Sequence, residues 1–381
     1  MAAEQRTPPR GSGRGQRVTI ADIARRAGVT SAAVSLAVNG RPGVSDATRE
    51  RILEIARELR WEPSPAARAL AGAPVLTVGM VLARPAEILG AEAFFGAFVA
   101  GLQEVLSRED YSLQMKIVET PEAEIETFRR WFSQRRVDGV VVVDLCLDDA
   151  RIPALEELGL PALVVGGPGH HGSLPSVYVD DAHATRLLVD HLAELGHTRI
   201  ARVAGDDVFL HTHQRDRTFA ARCEELGLEG LNQPAGFGAS GAEVATAELL
   251  SREEPPSALL FDSDEMALAG CHVLEQAGLA VPADVAVASY EDSPLARGHR
   301  PPITAIGRSA TEYGRVAADR LLEVIAARRE RRETGGAGEP ETRALIPELI
   351  VRGSTAPQLD GATGPSEEGP ERPATRSSRT A

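Results

Sequence analysis

Short apolar runs alternate with amphipathic segments over most of the chain, from Val75 to about residue 330. Runs such as GVVVV at 139–143 show no polar alternation, which is typical of strands buried on both faces of a parallel sheet. Between the runs, apolar residues recur at the spacing of one helix face. Alternation of strands and helices at this spacing predicts doubly wound α/β layers. The elements are too many for one small sheet, so we expect two α/β lobes.

The bounds of these elements follow from where each pattern begins and ends. The predicted strands are 75–82, 112–118, 139–144, 161–165, 176–179, 199–204, 258–262 and 285–290. The predicted helices lie near 93–108, 122–135, 150–158, 182–195, 214–226, 241–251, 265–276 and 310–330.

Residues 18–60 show a different pattern, with three short helical segments around a small apolar core. Thr19 stands three positions before Asp22, which predicts a helix N-cap with an acidic group in the first turn. The first two helices meet at Gly28, which permits a tight turn, and Ser45 is expected to cap the third. This layout predicts an all-α helix-turn-helix unit, whose second helix enters the major groove of DNA.

The second helix of this unit carries the candidate base-reading positions. Thr30 is placed to cap it, and Val34, Ala37 and Val38 have the spacing of a core-facing stripe. The side chains on the opposite side, which would meet base edges, are Ser31, Ala32 and Leu36. For Leu36 the alternative remains that it only covers the edge of the apolar core. Asn39 and Gly40 are expected to close the helix.

The charge is distributed unevenly along the chain, and this supports the interpretation. The formal net charge is −14, yet residues 1–72 hold 12 arginines against 7 acidic residues, a charge of +5 that leaves −19 for the remainder. A basic front end on an acidic body is typical of a protein that docks on double-stranded DNA with one end only.

The sequence gives little support to other classes of protein. No apolar run reaches the ~18 residues of a membrane helix, and the first 17 residues lack the apolar segment of a secretory signal. The three cysteines are scattered, which suits packing roles in a reducing compartment. The histidine pairs 170–171 and 211/213 lack assured partner ligands, so we expect no metal. No nucleotide-binding or hydrolase motif is present, so we expect neither a cofactor nor catalysis.

Composition divides the chain into five parts. Residues 1–16 and 355–381 are polar and rich in Pro, Gly and Ser, and we expect both to be disordered. Residues 17–61 form the predicted DNA-binding domain, and 75–354 form the predicted two-lobed body. The linker, 62–74, contains a stretch around Ala66–Ala71 that favours a helix but is too short to be helical alone in water.

The segment from Val18 to Leu70 resembles the headpiece of the lactose/galactose repressor (LacI/GalR) family. The matching residues include Val18-Thr19, Ala24, Ala27-Gly28-Val29, Val34-Ser35, Asn39, Val44-Ser45, Thr48-Arg49, Pro63, Ala67 and Leu70. The body resembles the same family to about Thr355. The resemblance implies a periplasmic sugar-binding-protein-like fold for the body, a homodimer, and a small molecule in the cleft between the lobes that controls operator binding.

The resemblance also implies which residues contact DNA. Leu70 would wedge into the minor groove at the operator centre, as apolar side chains do in other minor-groove binders, and Arg68 would approach phosphate or the groove edge. The alternative is a flexible linker with an incidental leucine. The full candidate set is Thr19, Thr30, Ser31, Ala32, Ser35, Leu36, Asn39, Arg68 and Leu70.

One departure from the family concerns Leu36, where many members have arginine. Bidentate reading of guanine from this position is therefore lost, and Leu36 and Ala32 are suited instead to thymine methyl groups.

The candidate effector residues are of two kinds: some follow predicted strands of the body, because ligands of two-lobed α/β proteins bind where the strands' carboxyl ends face each other, and the others, such as the aromatic pair that opens the first body helix, are those that the resemblance implies. They are Phe94, Phe95, Arg215, Ser263, Asp264, Glu291 and Arg308, with Glu92 as a weaker addition. The alternatives are a salt bridge for Arg215, a core position for Phe94 and an N-cap of helix 265–276 for Asp264.

Arginine and carboxylate groups around an aromatic floor suit a polyhydroxylated ligand. A glycine-rich segment, 166–169, replaces an aspartate common in the family, which puts the usual sugar in question.

These features together predict a cytoplasmic transcriptional regulator, a repressor in most such proteins, that binds a palindromic operator as a dimer. A sugar is the expected effector. An alternative is a solute-binding protein without a regulatory role, which would need a signal peptide and no headpiece. A second alternative, an enzyme with an α/β body, lacks a catalytic constellation.

Overall fold

The computed structural model describes residues 18–38, 40–61, 73–84, 93–334 and 342–355. Its helices are α1 Ile20–Ala27, α2 Ser31–Val38, α3 Asp46–Glu58, α4 Ala93–Arg108, α5 Pro121–Ser133, α6 Arg151–Leu158, α7 Asp181–Glu194, α8 Leu210–Leu226, α9 Ala239–Leu250, α10 Asp264–Gln276, α11 Pro294–Gly298 and α12 Ala310–Thr334. Its strands are β1 Thr77–Leu82, β2 Ser112–Ile117, β3 Gly139–Val142, β4 Ala162–Val165, β5 Ser176–Val179, β6 Arg199–Ala204, β7 Glu229–Pro234, β8 Ala258–Phe261, β9 Ala286–Ser289, β10 Thr304–Gly307, β11 Thr342–Leu345 and β12 Glu348–Ile350.

The first three helices form a separate small core, as the apolar spacing predicts. The residues buried in it are Ile23, Ala24, Ala27, Val34, Ala37, Ile52, Ile55 and Ala56. The Asp22 carboxylate accepts hydrogen bonds from the backbone N–H and the hydroxyl of Thr19, and Gly28 turns the chain with φ 64°. Thr30 and Ser45 accept from backbone N–H groups in the first turns of α2 and α3. The predicted caps of all three helices are therefore confirmed.

The body contains two six-stranded sheets, one in each lobe. The order of strands in the first sheet is β11-β5-β4-β3-β1-β2, and all neighbours are parallel. The order in the second is β12-β10-β9-β8-β6-β7, with only β12 antiparallel to its neighbour. The prediction of a two-lobed body with doubly wound parallel sheets is confirmed, apart from this last strand.

The chain passes from one lobe to the other three times among the described residues. The first crossing joins β5 to α7, the second joins β10 to α12, and the third joins β11 to β12. Helix α12 returns to the first lobe, where Tyr313, Val316 and Leu321 are buried in the same core as β1 and α4. The second lobe therefore consists of a continuous segment, 180–307, with β12 added from the end of the chain.

Two glycines allow α4 and α12 to approach each other backbone to backbone. A Cβ at Gly101 would lie 1.9 Å from the carbonyl oxygen of Thr311, and a Cβ at Gly314 would lie 2.1 Å from that of Phe98. No other residue fits at such distances without displacing a helix. This close contact places the first turn of α12 beside the cleft between the lobes.

The sequence-based bounds are wrong or incomplete at several elements. The strands β7, β10, β11 and β12 and the five-residue helix α11 were not predicted, and α8 begins at Leu210 rather than at 214. The four missed strands are short or rich in polar residues, and each exists because it pairs with a neighbouring strand. Of the helices that the structure describes, none is both long and apolar enough to span a bilayer.

Candidate functional site

Helix α2 presents an exposed face in the headpiece. Ser31, Ala32 and Ser35 are exposed on α2, and Thr19 and Thr30 are exposed at the starts of α1 and α2. The structure therefore brings these candidate DNA contacts to the solvent-facing side of the helix-turn-helix unit. Three further candidates, Asn39, Arg68 and Leu70, lie outside the described residues, as does Glu92.

Leu36 is half-buried rather than projecting fully from α2. Its Cδ1 lies against Gly43 in the loop before α3, 2.9 Å from where a Cβ on that glycine would be. Arg49 of α3 donates to the carbonyl oxygens of Leu36, Ala37 and Arg41, at 3.3, 2.9 and 2.6 Å. The carboxyl end of α2 is thus held by a cation, which is favourable at that end of a helix. Leu36 thus contacts the loop before α3, and its contact with a base stays a prediction.

The two lobes of the body face each other across a small cleft at the carboxyl ends of their strands. The space between them has a volume of about 100 Å³. Its aromatic and charged lining comprises Arg84, Phe94, Phe95, Asp144, Tyr178, Asp181, His211, Arg215, Phe237, Asp262, Glu291, Arg308 and Tyr313. Ligand sites usually have volumes of roughly 300–1,000 Å³, so the lobes are closed on each other in this structure.

Arg215 lies at the centre of a buried charge network in the second lobe. Its guanidinium pairs with the Asp181 carboxylate at 2.7 Å and donates to the carbonyl oxygen of Asp262 at 3.3 Å, and it lies over the ring of Tyr290. The Asp262 carboxylate pairs in turn with Arg202. Only 1% of Arg215 is exposed. Arg215 therefore makes the salt bridges of the alternative interpretation and also lines the cleft, and its contact with an effector stays a prediction.

Glu291 and Arg308 form a second charged pair on the cleft wall. Arg308 Nη2 donates to Glu291 Oε1 at 2.7 Å, and the Arg308 guanidinium lies 5.6 Å from the ring centre of Phe94. Burial raises the pKa of the Glu291 carboxyl, and Arg308 only partly opposes this effect. Phe94 is half-buried and stacks on Phe98, so it is both a wall of the cleft and part of the first-lobe core.

Arg84 connects the two lobes. It forms a bidentate ion pair with Asp144 of its own lobe, at 2.7 and 3.1 Å. Its guanidinium also lies 5.2 Å from the ring centre of Phe95, and 4.7 and 5.6 Å from those of Phe209 and Phe237 in the other lobe. Cation–π contacts of this kind contribute about 0.5–2 kcal/mol each. The Arg84 side chain therefore helps to hold the closed arrangement.

Backbone contacts between the lobes reinforce this closure. The N–H of Leu210 donates to the carbonyl oxygen of Leu145 at 2.8 Å, and Cys146 forms an isolated antiparallel bridge with Phe209. His211 stacks on Phe209 beside this contact. Burial lowers the pKa of His211 to about 3, so its ring is neutral at physiological pH.

The N-cap of α10 is one residue earlier than the sequence predicts. Ser263, not Asp264, is the N-cap, and its hydroxyl accepts from the N–H of Met266 at 3.2 Å. Asp264 is the first residue of the helix and is 4% exposed. Ser263 lines the cleft, whereas Asp264 is not among its lining residues in the described part of the chain. The capping prediction for Asp264 is therefore wrong by one position.

The glycine-rich segment after β4 also lies at the cleft. Gly166 and Gly167 line it and have φ values of 144° and 139°, a region that other residues rarely adopt. These two positions therefore offer no side-chain acceptor to the cleft. Among the described residues, no group of three or more His, Cys, Asp and Glu side chains is placed to hold a metal ion.

The cleft offers hydrogen-bonding groups without a large uncompensated charge. Its three arginines each face a carboxylate, in the pairs Arg84–Asp144, Arg215–Asp181 and Arg308–Glu291. Such pairs can donate to and accept from hydroxyl groups, whereas a free anion would meet carboxylates beside each arginine. The arrangement is suited to a neutral, hydroxyl-rich molecule.

Two family models match the chain. One, for bacterial regulatory proteins of the lacI family, matches residues 19–64, and the other, for a periplasmic binding protein-like domain, matches residues 189–355. The HTH-type transcriptional regulator reg1 of Streptomyces lividans is 32% identical over 352 residues, which cover 88% of this chain and 96% of that protein. The chain belongs to the LacI family of transcriptional regulators.

Solved structures of LacI-family proteins have the same fold. A structure described as a transcriptional regulator CelR–cellobiose complex has a TM-score of 0.66 and 30% identity, and the match covers 89% of this chain and all of that one. The lac repressor dimer bound to operator and the anti-inducer ONPF has a TM-score of 0.73 and 26% identity, with 89% and 99% covered. The chain is thus a LacI-family regulator along nearly its whole described length.

Several cleft residues of this LacI-family chain were missed from the sequence. Arg84, Asp144 and Asp262 each directly follow the apolar run of a strand, so the same rule that selected Glu291 could have found them. Asp181 stands two positions after the predicted strand 176–179, so the same rule could have found it as well; it opens α7, and its carboxylate is paired with Arg215 of α8. His211 and Phe237 carried no such signal.

Proposed function

We propose that this LacI-family regulator binds an inverted-repeat operator as a homodimer and represses transcription, and that a neutral sugar in the interlobe cleft controls this binding. The observation that carries the proposal is the cleft, in which three arginine–carboxylate pairs surround aromatic rings. The cleft lies between two lobes that the chain connects three times, and the linker directly precedes β1 of the first lobe. A movement of the lobes about the cleft would therefore move the linker.

The proposed contacts to the effector are those candidate side chains that line the cleft. Arg215, Glu291 and Arg308 would donate to and accept from hydroxyl groups, with Ser263 beside them. Phe94 and Phe95 would cover an apolar face of the ring. One relative with this fold is described as a complex with cellobiose, which supports a sugar as the ligand class.

The proposed contacts to DNA are the exposed residues of the headpiece, with Asn39, Arg68 and Leu70 added from the resemblance. A two-fold dimer places two copies of α2 in successive major grooves, so its site has two-fold symmetry. A relative with this fold is described as a dimer bound to operator, which supports this arrangement.

Control would act through the closure of the lobes. The contacts of Arg84 and Leu210 across the cleft favour the closed form, and an effector must interact differently with the open and closed forms to change the equilibrium. The spacing of the two linkers in a dimer depends on this equilibrium. A coupling free energy of roughly 1–3 kcal/mol corresponds to a 5- to 150-fold change in operator affinity.

The test combines a sugar screen with an operator-binding assay. Duplexes selected from a random pool by the full chain are labelled, and binding is followed by fluorescence anisotropy at several salt concentrations, with and without mono- and disaccharides. We expect a selected inverted repeat, salt-sensitive affinity, and at least a fivefold change with one sugar. Calorimetry on the same sugar should give saturable binding without turnover.

A matched pair of variants separates the cleft from the surface. Arg215→Met should abolish the effect of the sugar on operator affinity while operator binding persists. Arg217 is exposed on the same helix, so Arg217→Met should leave both operator binding and the effect of the sugar unchanged. Circular dichroism checks that both variants are folded. The proposal fails if no inverted repeat is selected, or if no sugar changes the affinity for the selected duplex.

A further inference from the structure

A second cavity adjoins the cleft on the side of α12. Its volume is about 500 Å³, and it is open to solvent. Phe94, Glu291 and Arg308 line both this outer cavity and the cleft between the lobes. The two spaces therefore share these side chains as a common wall, and we call the Glu291–Arg308 pair in it the partition.

The partition has one polar atom that is left without a partner. Arg308 Nη2 is bonded to Glu291, but Arg308 Nε is buried and makes no hydrogen bond within the described part of the chain. A buried donor without an acceptor is destabilising, because no hydrogen bond compensates for the loss of its contact with water. A ligand hydroxyl reaching the partition would satisfy this donor.

The lining of the outer cavity is polar, and within the described residues its charged groups are paired except at Glu348, which adds a further carboxylate. Ser309 and Thr311 contribute hydroxyl groups from the start of α12, and Ala97 and Ile350 contribute apolar surface. Asp292, which also lines it, is paired with Arg297 at 3.1 Å and with Arg352 at 2.8 Å. The cavity thus resembles the cleft in chemistry, with hydrogen-bonding groups beside apolar surface and ion pairs that are already closed.

We propose that the outer cavity is a second sugar subsite and that the effector of this regulator is an oligosaccharide of at least two units. One unit occupies the cleft, the next occupies the outer cavity, and Glu291 and Arg308 contact hydroxyl groups on both sides of the glycosidic bond. This proposal rests on the proposed function, since it takes a sugar to be the effector. It goes further by assigning the size of the ligand.

The two adjoining spaces offer room for two units. The closed lobes leave about 100 Å³ in the cleft, and with the outer cavity, at about 500 Å³, the combined space of about 600 Å³ lies within the roughly 300–1,000 Å³ that ligand sites occupy. A monosaccharide would leave the outer cavity filled with water. A disaccharide would use both spaces and the partition between them.

The test compares sugars of different length on the full chain by calorimetry. The probes are glucose and galactose, the disaccharides maltose, cellobiose, lactose and trehalose, and the trisaccharides maltotriose and cellotriose. We expect at least one disaccharide to bind 100-fold more tightly than either monosaccharide. Filling the outer cavity with Ala97→Phe should weaken that disaccharide at least tenfold and change monosaccharide binding less than twofold.

Ala100→Phe is the matched control, because it places the same side chain on the exposed side of the same helix and should change neither affinity. Ala310→Leu fills the cavity from its α12 wall and provides a second variant if Ala97→Phe does not fold. Equal affinity for mono- and disaccharides, or an equal loss for both in the cavity-filling variants, would overturn the second subsite and leave the proposed function standing. If none of the sugars binds and none shifts operator affinity, both proposals fall.

Discussion

The buried carboxylate of Asp262 is the position in the body where loss of a single charge should be most costly. It accepts two hydrogen bonds from Arg202 and one from the N–H of Gly205, and its side chain is fully buried together with that of Arg202. Arg215, which is nearly as buried, lies 3.6 Å from it. Asp262→Asn keeps the shape of the side chain and leaves two buried guanidinium groups with less compensation.

The expected loss of stability follows from this burial. Removing one partner of a buried ion pair costs about 3–5 kcal/mol, because the remaining charge stays desolvated. Arg202 retains its contact with Asp216, and Arg215 retains Asp181, so we expect a loss near 3 kcal/mol, the lower end of that range. The measurement is urea unfolding of the full chain, followed by far-ultraviolet circular dichroism, at pH 7.

An exposed pair on the same protein provides the control. Glu126 and Arg129 lie 3.1 Å apart on α5, with side chains 68% and 50% exposed, so Glu126→Gln should cost less than about 1 kcal/mol. If Asp262→Asn costs no more than Glu126→Gln, the buried network does not stabilise the second lobe in the way that we infer.

The pH dependence gives an independent check on Asp262. Burial alone would raise the pKa of its carboxyl, but Arg202 and Arg215 outweigh this effect and hold the pKa below its ordinary value. The carboxylate therefore contributes stability above the ordinary pKa near 4, and this contribution is lost as the pH falls through the lower, folded-state pKa. The difference between wild type and Asp262→Asn should shrink toward acidic pH, and a constant difference would contradict the assignment.

Three further predictions concern other parts of the molecule. Leu36→Arg should change the operator sequence that is selected more than the affinity, and recovery of the same motif from a random pool would exclude a reading role. Arg49→Met removes three hydrogen bonds to carbonyl oxygens, two in the last turn of α2 and one in the loop after it, and should lower headpiece stability by about 1–3 kcal/mol, measured by hydrogen exchange, without changing the melting of the body. Because His211 has a pKa of about 3 when folded, stability should fall as the pH drops below the ordinary value near 6.5, and His211→Phe should flatten the decline in melting temperature between pH 7 and 5.

The headpiece was predictable because its signals are local. Thr19, Thr30 and Ser45 each stand one position before a helix and cap it within the next three residues, and Gly28 turns the chain between two of them. Local propensity and the apolar stripe agree at every element, which is the situation in which sequence patterns are most informative. The central strands of both sheets were predictable for a similar reason, since their apolar runs are buried on both sides.

The missed elements depend on partners far away along the chain. The sequence of β7, EGLNQP, contains glycine, asparagine and proline, yet it pairs with β6 over six residues. Strands β11 and β12 complete sheets whose first strands begin 265 and 149 residues earlier, at Thr77 and Arg199. Strand propensity is weak where pairing with a neighbour supplies the stability.

The same reasoning applies to the candidate site. Residues that end a strand, such as Glu291, could be placed in the cleft from the order of the elements, because carboxyl ends share one edge of a parallel sheet. The sequence does not reveal which arginine pairs with which carboxylate. Arg215 and Asp181 are 34 positions apart, and Arg84 and Asp144 are 60 apart, so only the packed fold brings each carboxylate to its guanidinium. The closure of the cleft around Arg84 likewise depends on Phe209 and Phe237 from the opposite lobe.

The order in which the strands occur along the chain bears on how the protein is made. One edge strand of the first sheet, β11, and one edge strand of the second, β12, both lie within residues 342–350. As the polypeptide leaves the ribosome, β5 and β10 therefore present open edges until almost the entire body has been synthesised, and such edges are prone to pair with other chains. A nascent chain arrested or cleaved before Thr342 would lack the outer strand of both lobes at once. We expect such fragments to depend on chaperones and to aggregate when expressed without them.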